Sequence, residues 1–176
     1  MANRAAGNAI FLGVVSFAVF ALVGAVGSRL YFTVQVDDPE IIAYGVDYLS
    51  VIMVLSVGCF GQVLLSRLLQ STGKTFYSMV IQLVGAGLNI VLDPIMIFGL
   101  LGCPAMGVAG AAWATVIGQL LSLVLGMVFH HGWNRELPFH WKDLLPEAGL
   151  IREIYQIGLP AIVMQALMSF LSLIHI

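Results

Sequence analysis

Apolar runs long enough to cross a membrane alternate along this chain with short charged segments. Between Arg4 and Arg29 lie 24 residues without a formal charge, and between Asp47 and Arg67 lie 19. Lys74 and Asp93 enclose 18 more, and the apolar run continues past Asp93 to Phe98. From Pro94 to Asn134 there are 41 in a row. A bilayer core needs about 20 apolar residues per helix, so this last run is too long for one crossing. Residues 99–104, Gly-Leu-Leu-Gly-Cys-Pro, carry the turn residues that would divide it. The pattern predicts helices over about 9–27, 48–66, 76–98 and 108–129, and a fifth from about 157 that is still running at Ile176. The first run is too long for a signal peptide and lacks a small-residue cleavage site. The expected class is all-α, a polytopic membrane protein with about five transmembrane helices.

Three of these helices carry polar residues at helical spacing. An α-helix turns about 100° per residue, so positions four and seven apart share a face. Ser78, Gln82, Asn89 and Asp93 fall on one strip of the third span, with Gly85 and Ala86 keeping it open. Thr115, Gln119 and Ser122 do the same on the fourth, and Gly58, Gln62 and Ser66 more weakly on the second. Polar side chains facing lipid are costly, so these strips are expected to face one another or a wet cavity. One at a time, Ser, Thr and Gln are explained by helix-to-helix hydrogen bonds; three strips together favour a lined cavity. Gly110, Ala114 and Gly118, four apart, allow close backbone approach to a neighbouring helix.

Composition strengthens the membrane assignment. Of 176 residues 60% are apolar and 9% charged, against about 45–50% and 25% in soluble domains. Mean hydropathy is +1.02. Lipid is therefore the solvent for most of the surface, and a net charge of −2 gives no footprint for nucleic acid. Cys59, in an apolar run, and Cys103, in a turn, do not read as a disulfide framework.

Charge also sets orientation. With the N-terminus in the cytoplasm, the inner segments hold Arg4, Arg67, Lys74, Arg135, Lys142 and Arg152, while the outer segments hold Arg29 alone. Short loops obey a positive-inside bias, so the expected site is the cell membrane with a cytoplasmic N-terminus. Trp133, Phe139 and Trp141 flank charges in the inner segment, where an interfacial aromatic belt is expected.

Asp93 is the one carboxylate inside an expected span. An Asp at mid-bilayer costs about 2.5–3.5 kcal/mol on insertion scales. Burial favours the neutral acid, and a neighbouring cation or contact with water favours the carboxylate, so the group suits a coupling-ion switch. Asn89, one turn earlier, offers a carbonyl oxygen to Na⁺ or a hydrogen bond to the acid. Pro94 lacks an N–H and crowds the carbonyl of Ile90, so a helix kink is expected beside the carboxylate. Asp93 also lies close enough to Phe98 for headgroup contact; Asn89 and Gln82, which extend the strip inward, favour function.

Other signals are weaker. Gly73-Lys74-Thr75 looks like the tail of a phosphate-binding loop, but Leu68 stands where that motif needs its first glycine. His130, His131 and His140 lack a Cys or carboxylate to complete a metal site. No nucleophilic triad is present, and no enzyme is expected.

The run Arg67-Leu-Leu-Gln-Ser-Thr-Gly73-Lys, then Asn89-Ile-Val-Leu-Asp93-Pro94, then Pro104-Ala-Met-Gly107-Val-Ala-Gly110-Ala-Ala-Trp-Ala-Thr115, resembles the multidrug and toxin extrusion (MATE) family. Ile157-Gly-Leu-Pro160-Ala, followed by Gln165, is similar to the opening helix of that family's second half. The resemblance implies a MATE-type helix bundle in part. Residues 1–129 would be helices three to six of the first bundle, 130–156 the cytoplasmic linker, and 157–176 the start of the second bundle. It implies a Na⁺- or H⁺-coupled antiporter that exports small-molecule drugs or toxins by alternating access, with no cofactor beyond the coupling ion. Asp93 and Asn89 would belong to the cation site, with Thr115 a further member. Ser78, Gln82, Gln119 and Gln62 would line the cavity. Asp before Pro94 looks more like the DNA-damage-inducible type of branch. The partner carboxylate of the family's first helix has no counterpart here, so the rest of the polypeptide is an expected partner and transport by this chain alone is not expected. Leu171-Ser-Leu-Ile-His-Ile176 resembles a reading frame of a transposon end used in sequencing libraries, which would make those six residues an artefact.

Two other readings stand beside this one. A lipid-linked precursor flippase of the same wider superfamily would favour basic residues deep in its spans, where this chain has none. A small non-transporting membrane scaffold would not need Asp93.

Overall fold

The computed structural model describes residues 2–102, 104–134 and 144–174. Among these are six α-helices: α1 Ala2–Gln35, α2 Pro39–Val54, α3 Val57–Ser71, α4 Thr75–Phe98, α5 Gly107–Trp133 and α6 Ala148–Ile174. Four are long and apolar enough to span a membrane, and α2 with α3 makes a fifth as a pair. The helices overrun the expected spans at nearly every boundary. Charges mark where lipid gives way to water, whereas the backbone stays helical until a residue stops it. A cap residue sets where a helix begins, as Asp38 does for α2: its side chain accepts the Glu40 N–H at 2.9 Å, and Pro39 opens the helix.

The second span differs from expectation. Instead of one helix over 48–66, α2 and α3 meet at a 44° bend. The cause lies at Ser56, whose hydroxyl donates to the Met53 carbonyl at 2.7 Å while its N–H reaches the same carbonyl at 3.4 Å. A serine that bonds back three residues competes with the helical ladder and bends it. The ladder resumes when Phe60 N–H donates to Ser56 O at 3.0 Å.

The chain forms two compact units, Gly13–Pro138 and Met1–Leu12 with Phe139–Ile176. In the first, α5 packs against α2, α3 and α4, and α3 also packs on α4. The buried face of α5 is Gly110, Ala112, Ala114, Val116, Gly118, Ser122 and Gly126. Without a hydrophobic drive between helices in lipid, such small residues let backbones approach and gain dispersion contact. A Cβ at Gly118 would lie 3.2 Å from the Gly85 carbonyl oxygen, which shows how close α5 and α4 run. Gly99, at φ +72°, ends α4 in the left-handed conformation that a side chain resists, and the Met106 N–H then bonds back to Met96 O at 3.1 Å. Tyr77, Phe129 and Trp133 cluster where α4 begins and α5 finishes, with Tyr77 stacked on Trp133 at 5.4 Å. Of the three aromatic residues expected at the membrane interface, Trp133 packs in this group; Phe139 and Trp141, and with them Arg135, His140 and Lys142, lie outside the described residues, as do Cys103 and His175.

In the other unit Asn8, 1% exposed, fastens the start of α1 to the segment leading into α6. Its Oδ1 accepts the Glu147 N–H at 2.8 Å and its Nδ2 donates to Arg4 O at 2.9 Å and Leu145 O at 3.5 Å. Arg4 and Glu147 add an exposed ion pair at 3.6 Å, worth little by itself. Asn8→Ala should remove the bonds to the Glu147 N–H and the Leu145 carbonyl, which water can replace in part, at a cost of about 0.5–1.5 kcal/mol. Amide hydrogen exchange read at Glu147 is expected to accelerate in that variant; unchanged protection would show that the fastening lies elsewhere.

Candidate functional site

The polar residues of α4 divide into two groups. Toward the Phe98 end, Asn89 Nδ2 donates to Thr115 Oγ1 on α5 at 3.1 Å, and Thr115 donates in turn to Ala111 O at 2.9 Å. The Asn89 carbonyl oxygen is not spent in this chain of bonds. One turn on, Asp93 has a buried carboxylate oxygen, Oδ1, with no hydrogen-bond partner among the described residues. A buried acceptor without a partner is costly, and more so when charged. Such an atom is satisfied by a cation or by a donor beyond the described residues. Asn89, one turn earlier on α4, and Thr115, its partner on α5, carry neutral side-chain oxygens as well. The close passage of α4 over Gly118 is what brings Thr115 within reach of Asn89. Pro94 lies inside the single helix α4, directly after Asp93.

Toward the Thr75 end, buried Ser78 is the hub. Its hydroxyl accepts from Gln70 Nε2 at 2.8 Å and from Gln82 Nε2 at 3.4 Å, and Gln82 Nε2 also approaches Ser78 O at 3.3 Å. Gln62 and Gln82 line one cavity of about 150 Å³ together with Val63, Ser66, Arg67 and Gln70. A larger open groove of about 700 Å³ shares Gln70 and Gln82 and is walled by Thr75, Phe76, Ser78, Met79, Leu83 and Ala86. Its volume falls in the roughly 300–1,000 Å³ range of drug-sized sites, and its mix of apolar wall and few polar groups matches them. Gln82 is separated from Asn89 by seven residues, about 10.5 Å of helix rise, so the groove and the carboxylate occupy different depths.

The α5 strip does not act as a unit. Thr115 bonds to α4 through Asn89, and Ser122 does so by donating to Ile81 O at 3.3 Å. Gln119 instead packs over Gly58 of α3, where an added Cβ would stand 3.1 Å from the Gln119 Cβ, and its buried Oε1 has no partner among the described residues. Gln70 and Arg67 escaped the sequence reading as site residues, because they sit near the end of α3 where polar residues are ordinary. Their spacing from Ser66 and Gln62 on the same helix was the available signal.

Comparison with known proteins supplies a frame for this geometry. Residues 1–95 match the MatE family. The multidrug export protein MepA of Staphylococcus haemolyticus is 32% identical over 135 residues, covering 77% of this chain and 29% of that protein. MepA of Staphylococcus aureus is 30% identical over the same shares. The chain therefore spans less than a third of the length of these relatives. Among solved structures, an outward-facing multidrug resistance MATE transporter of the MOP superfamily superposes with a TM-score of 0.82 at 23% identity, over 96% of this chain and 36% of that one. A MOP superfamily transporter from Pyrococcus furiosus, described as having a binding pocket of reverse polarity that suggests a different function, matches as well, at 0.82 and 37% of its length. At such identity the structures establish the shared all-helical fold.

Proposed function

The chain belongs to the MATE family, and from that premise we propose that it forms part of a cation-coupled multidrug antiporter in which Asp93, Asn89 and Thr115 make a coupling site. The exported compounds are organic molecules that pass the groove lined by Gln82, Ser78 and Gln70, and the coupling ion is Na⁺ or H⁺. The observation that carries the proposal is the partnerless buried oxygen of Asp93 beside the Asn89–Thr115 hydrogen bond. Cation entry at Asp93 changes the charge of a half-buried group, which shifts the balance between conformations of different cation affinity. Pro94, next to that carboxylate, leaves the Ile90 carbonyl without its helical donor and gives α4 a place to bend. The test is efflux from energised vesicles by the full-length transporter that contains these residues. Drug movement should follow an imposed Na⁺ or H⁺ gradient and stop when an ionophore collapses it; efflux indifferent to both gradients would refute coupling. The flippase alternative would place basic side chains deep in the spans, and α4 holds none; Arg67 stands near the end of α3.

The proposed orientation places the N-terminus of the chain in the cytoplasm and residues 99–106 outside. Cys103 should then react with a membrane-impermeant maleimide on intact cells. Cys59, half-buried in α3, should stay unlabelled. Labelling of Cys103 only after permeabilisation would invert the topology.

A further inference from the structure

We propose that the small cavity between α3 and α4 is a binding site for a phosphate-class oxyanion, separate from the cation site at Asp93. Size is the first reason. At about 150 Å³ it is half the roughly 300 Å³ at which drug-sized pockets begin, so it accepts a single small group and not an exported drug. Its lining is the second. Five of its six residues, Gln62, Ser66, Arg67, Gln70 and Gln82, are polar, and none is acidic.

The hydrogen bonds show which groups are left for a ligand. Ser66 is 5% exposed, yet its hydroxyl has no hydrogen-bond partner among the described residues. The Gln62 amide likewise makes no hydrogen bond there. Gln70 is used at both ends: its oxygen accepts from Arg67 Nη1 at 3.1 Å and its nitrogen donates to Ser78. Gln70 therefore acts as a brace that holds the guanidinium at the mouth. No carboxylate among the described residues lies within 4 Å of Arg67. The site thus offers a positive charge with no carboxylate partner and a planar donor fork on an exposed side chain, with the buried Ser66 hydroxyl and the Gln62 amide beside it. A tetrahedral oxyanion satisfies all three, and a guanidinium matches its oxygens in pairs. A cation is repelled by Arg67, and a neutral polar molecule gains no charge-assisted bond from it. The same chemistry is found on a free phosphate and on the headgroup of an anionic lipid.

Both sources are tested on the full-length transporter. In detergent, inorganic phosphate is titrated against chloride at constant ionic strength and the thermal midpoint recorded, since a ligand of the native state raises it saturably. In nanodiscs, retention of phosphatidylglycerol over phosphatidylcholine is read by native mass spectrometry. The expected results are a saturable rise with phosphate, preferential retention of the anionic lipid, or both. Arg67→Gln should weaken either signal about tenfold or more, the loss of a charge-assisted pair. Ser66→Ala, which leaves charge and fold in place, should weaken it by a smaller factor. A phosphate response without lipid preference assigns the free anion; lipid retention that phosphate does not displace assigns the headgroup. Identical curves for phosphate and chloride with no lipid preference would overturn the proposal, and so would a response unchanged in both variants. The readout is binding, so it stands or falls independently of whether Asp93 couples transport.

Discussion

Asp93→Asn in the full-length transporter is expected to reduce gradient-driven efflux to background while the protein still inserts and folds. Asn keeps the shape of the carboxylic acid and cannot lose a proton, so the variant holds the neutral form permanently. The buried Oδ1 has no partner to lose among the described residues, and the change removes a charge that lipid disfavours. Yield and thermal midpoint should therefore hold or rise slightly. Drug binding should persist, because a protein locked on one side of its equilibrium still occupies part of its cycle. Coupling should not persist, since a site with no differential cation affinity cannot drive a conformational exchange. Asn89→Ala should do less: it removes the bond to Thr115 and one oxygen ligand, a loss of about 1 kcal/mol or roughly a fivefold to tenfold weaker apparent cation affinity. Efflux is measured in energised vesicles at matched expression. Wild-type rates for Asp93→Asn under both Na⁺ and H⁺ gradients would make Asp93 a residue that merely reaches headgroups, and the coupling site would lie elsewhere.

The parts of this site that could be read from sequence are those fixed by helical periodicity. Asn89 and Asp93 are four apart, so they share a face in any α-helix, and the helix itself followed from the charge-free run around them. Thr115 was different. Spacing put it on a polar strip of another helix, but only the resemblance to a transporter family joined it to Asn89. The structure supplies the physical link, which is the small-residue seam that lets α4 and α5 approach. The strip of α5 was the weaker inference because periodicity gives a direction on one helix and says nothing of which neighbour lies there. Gln119 turns toward α3 while Thr115, four residues earlier, turns toward α4, because α5 packs against both. The bend at Ser56 was missed for a similar reason. A serine in an apolar run reads as tolerated, and its back-bond to Met53 appears only once the backbone is in place. Asn8 gave no signal at all, since its partners, Leu145 and Glu147, lie more than 130 positions away.

The seam between α4 and α5 carries the largest expected effect on stability. Gly110 lies in the first turn of α5 against the backbone of α4: an added Cβ would meet the Met96 carbonyl oxygen, stand 2.6 Å from its carbon, and lie 3.1 Å from Ile97 N. All three are main-chain atoms, so no rotamer change relieves the clash and one helix must move. Overpacking of this kind costs about 1–3 kcal/mol where side chains can adjust. Against backbone, Gly110→Ala is expected at or above the upper end. Gly87, on the same α4, is the internal control: nothing lies within 4 Å of a Cβ placed there. Gly87→Ala should be neutral or stabilise the helix by up to about 1 kcal/mol, since alanine loses less backbone freedom. The two variants make the same chemical change, so thermal midpoints in detergent that fall for Gly110→Ala and not for Gly87→Ala would locate the effect in the seam. A functional consequence is built in. Met96 lies three residues past Asp93, and its carbonyl also anchors the Met106 N–H. Displacing it disturbs the stretch of α4 that holds Asp93 and Pro94. Gly110→Ala should therefore weaken cation dependence of efflux along with stability, whereas Gly87→Ala should leave both intact. Equal midpoints for the two variants would mean that the turn after α4 yields more readily than its backbone contacts imply, and that the seam is held farther along, at Gly85 and Gly118.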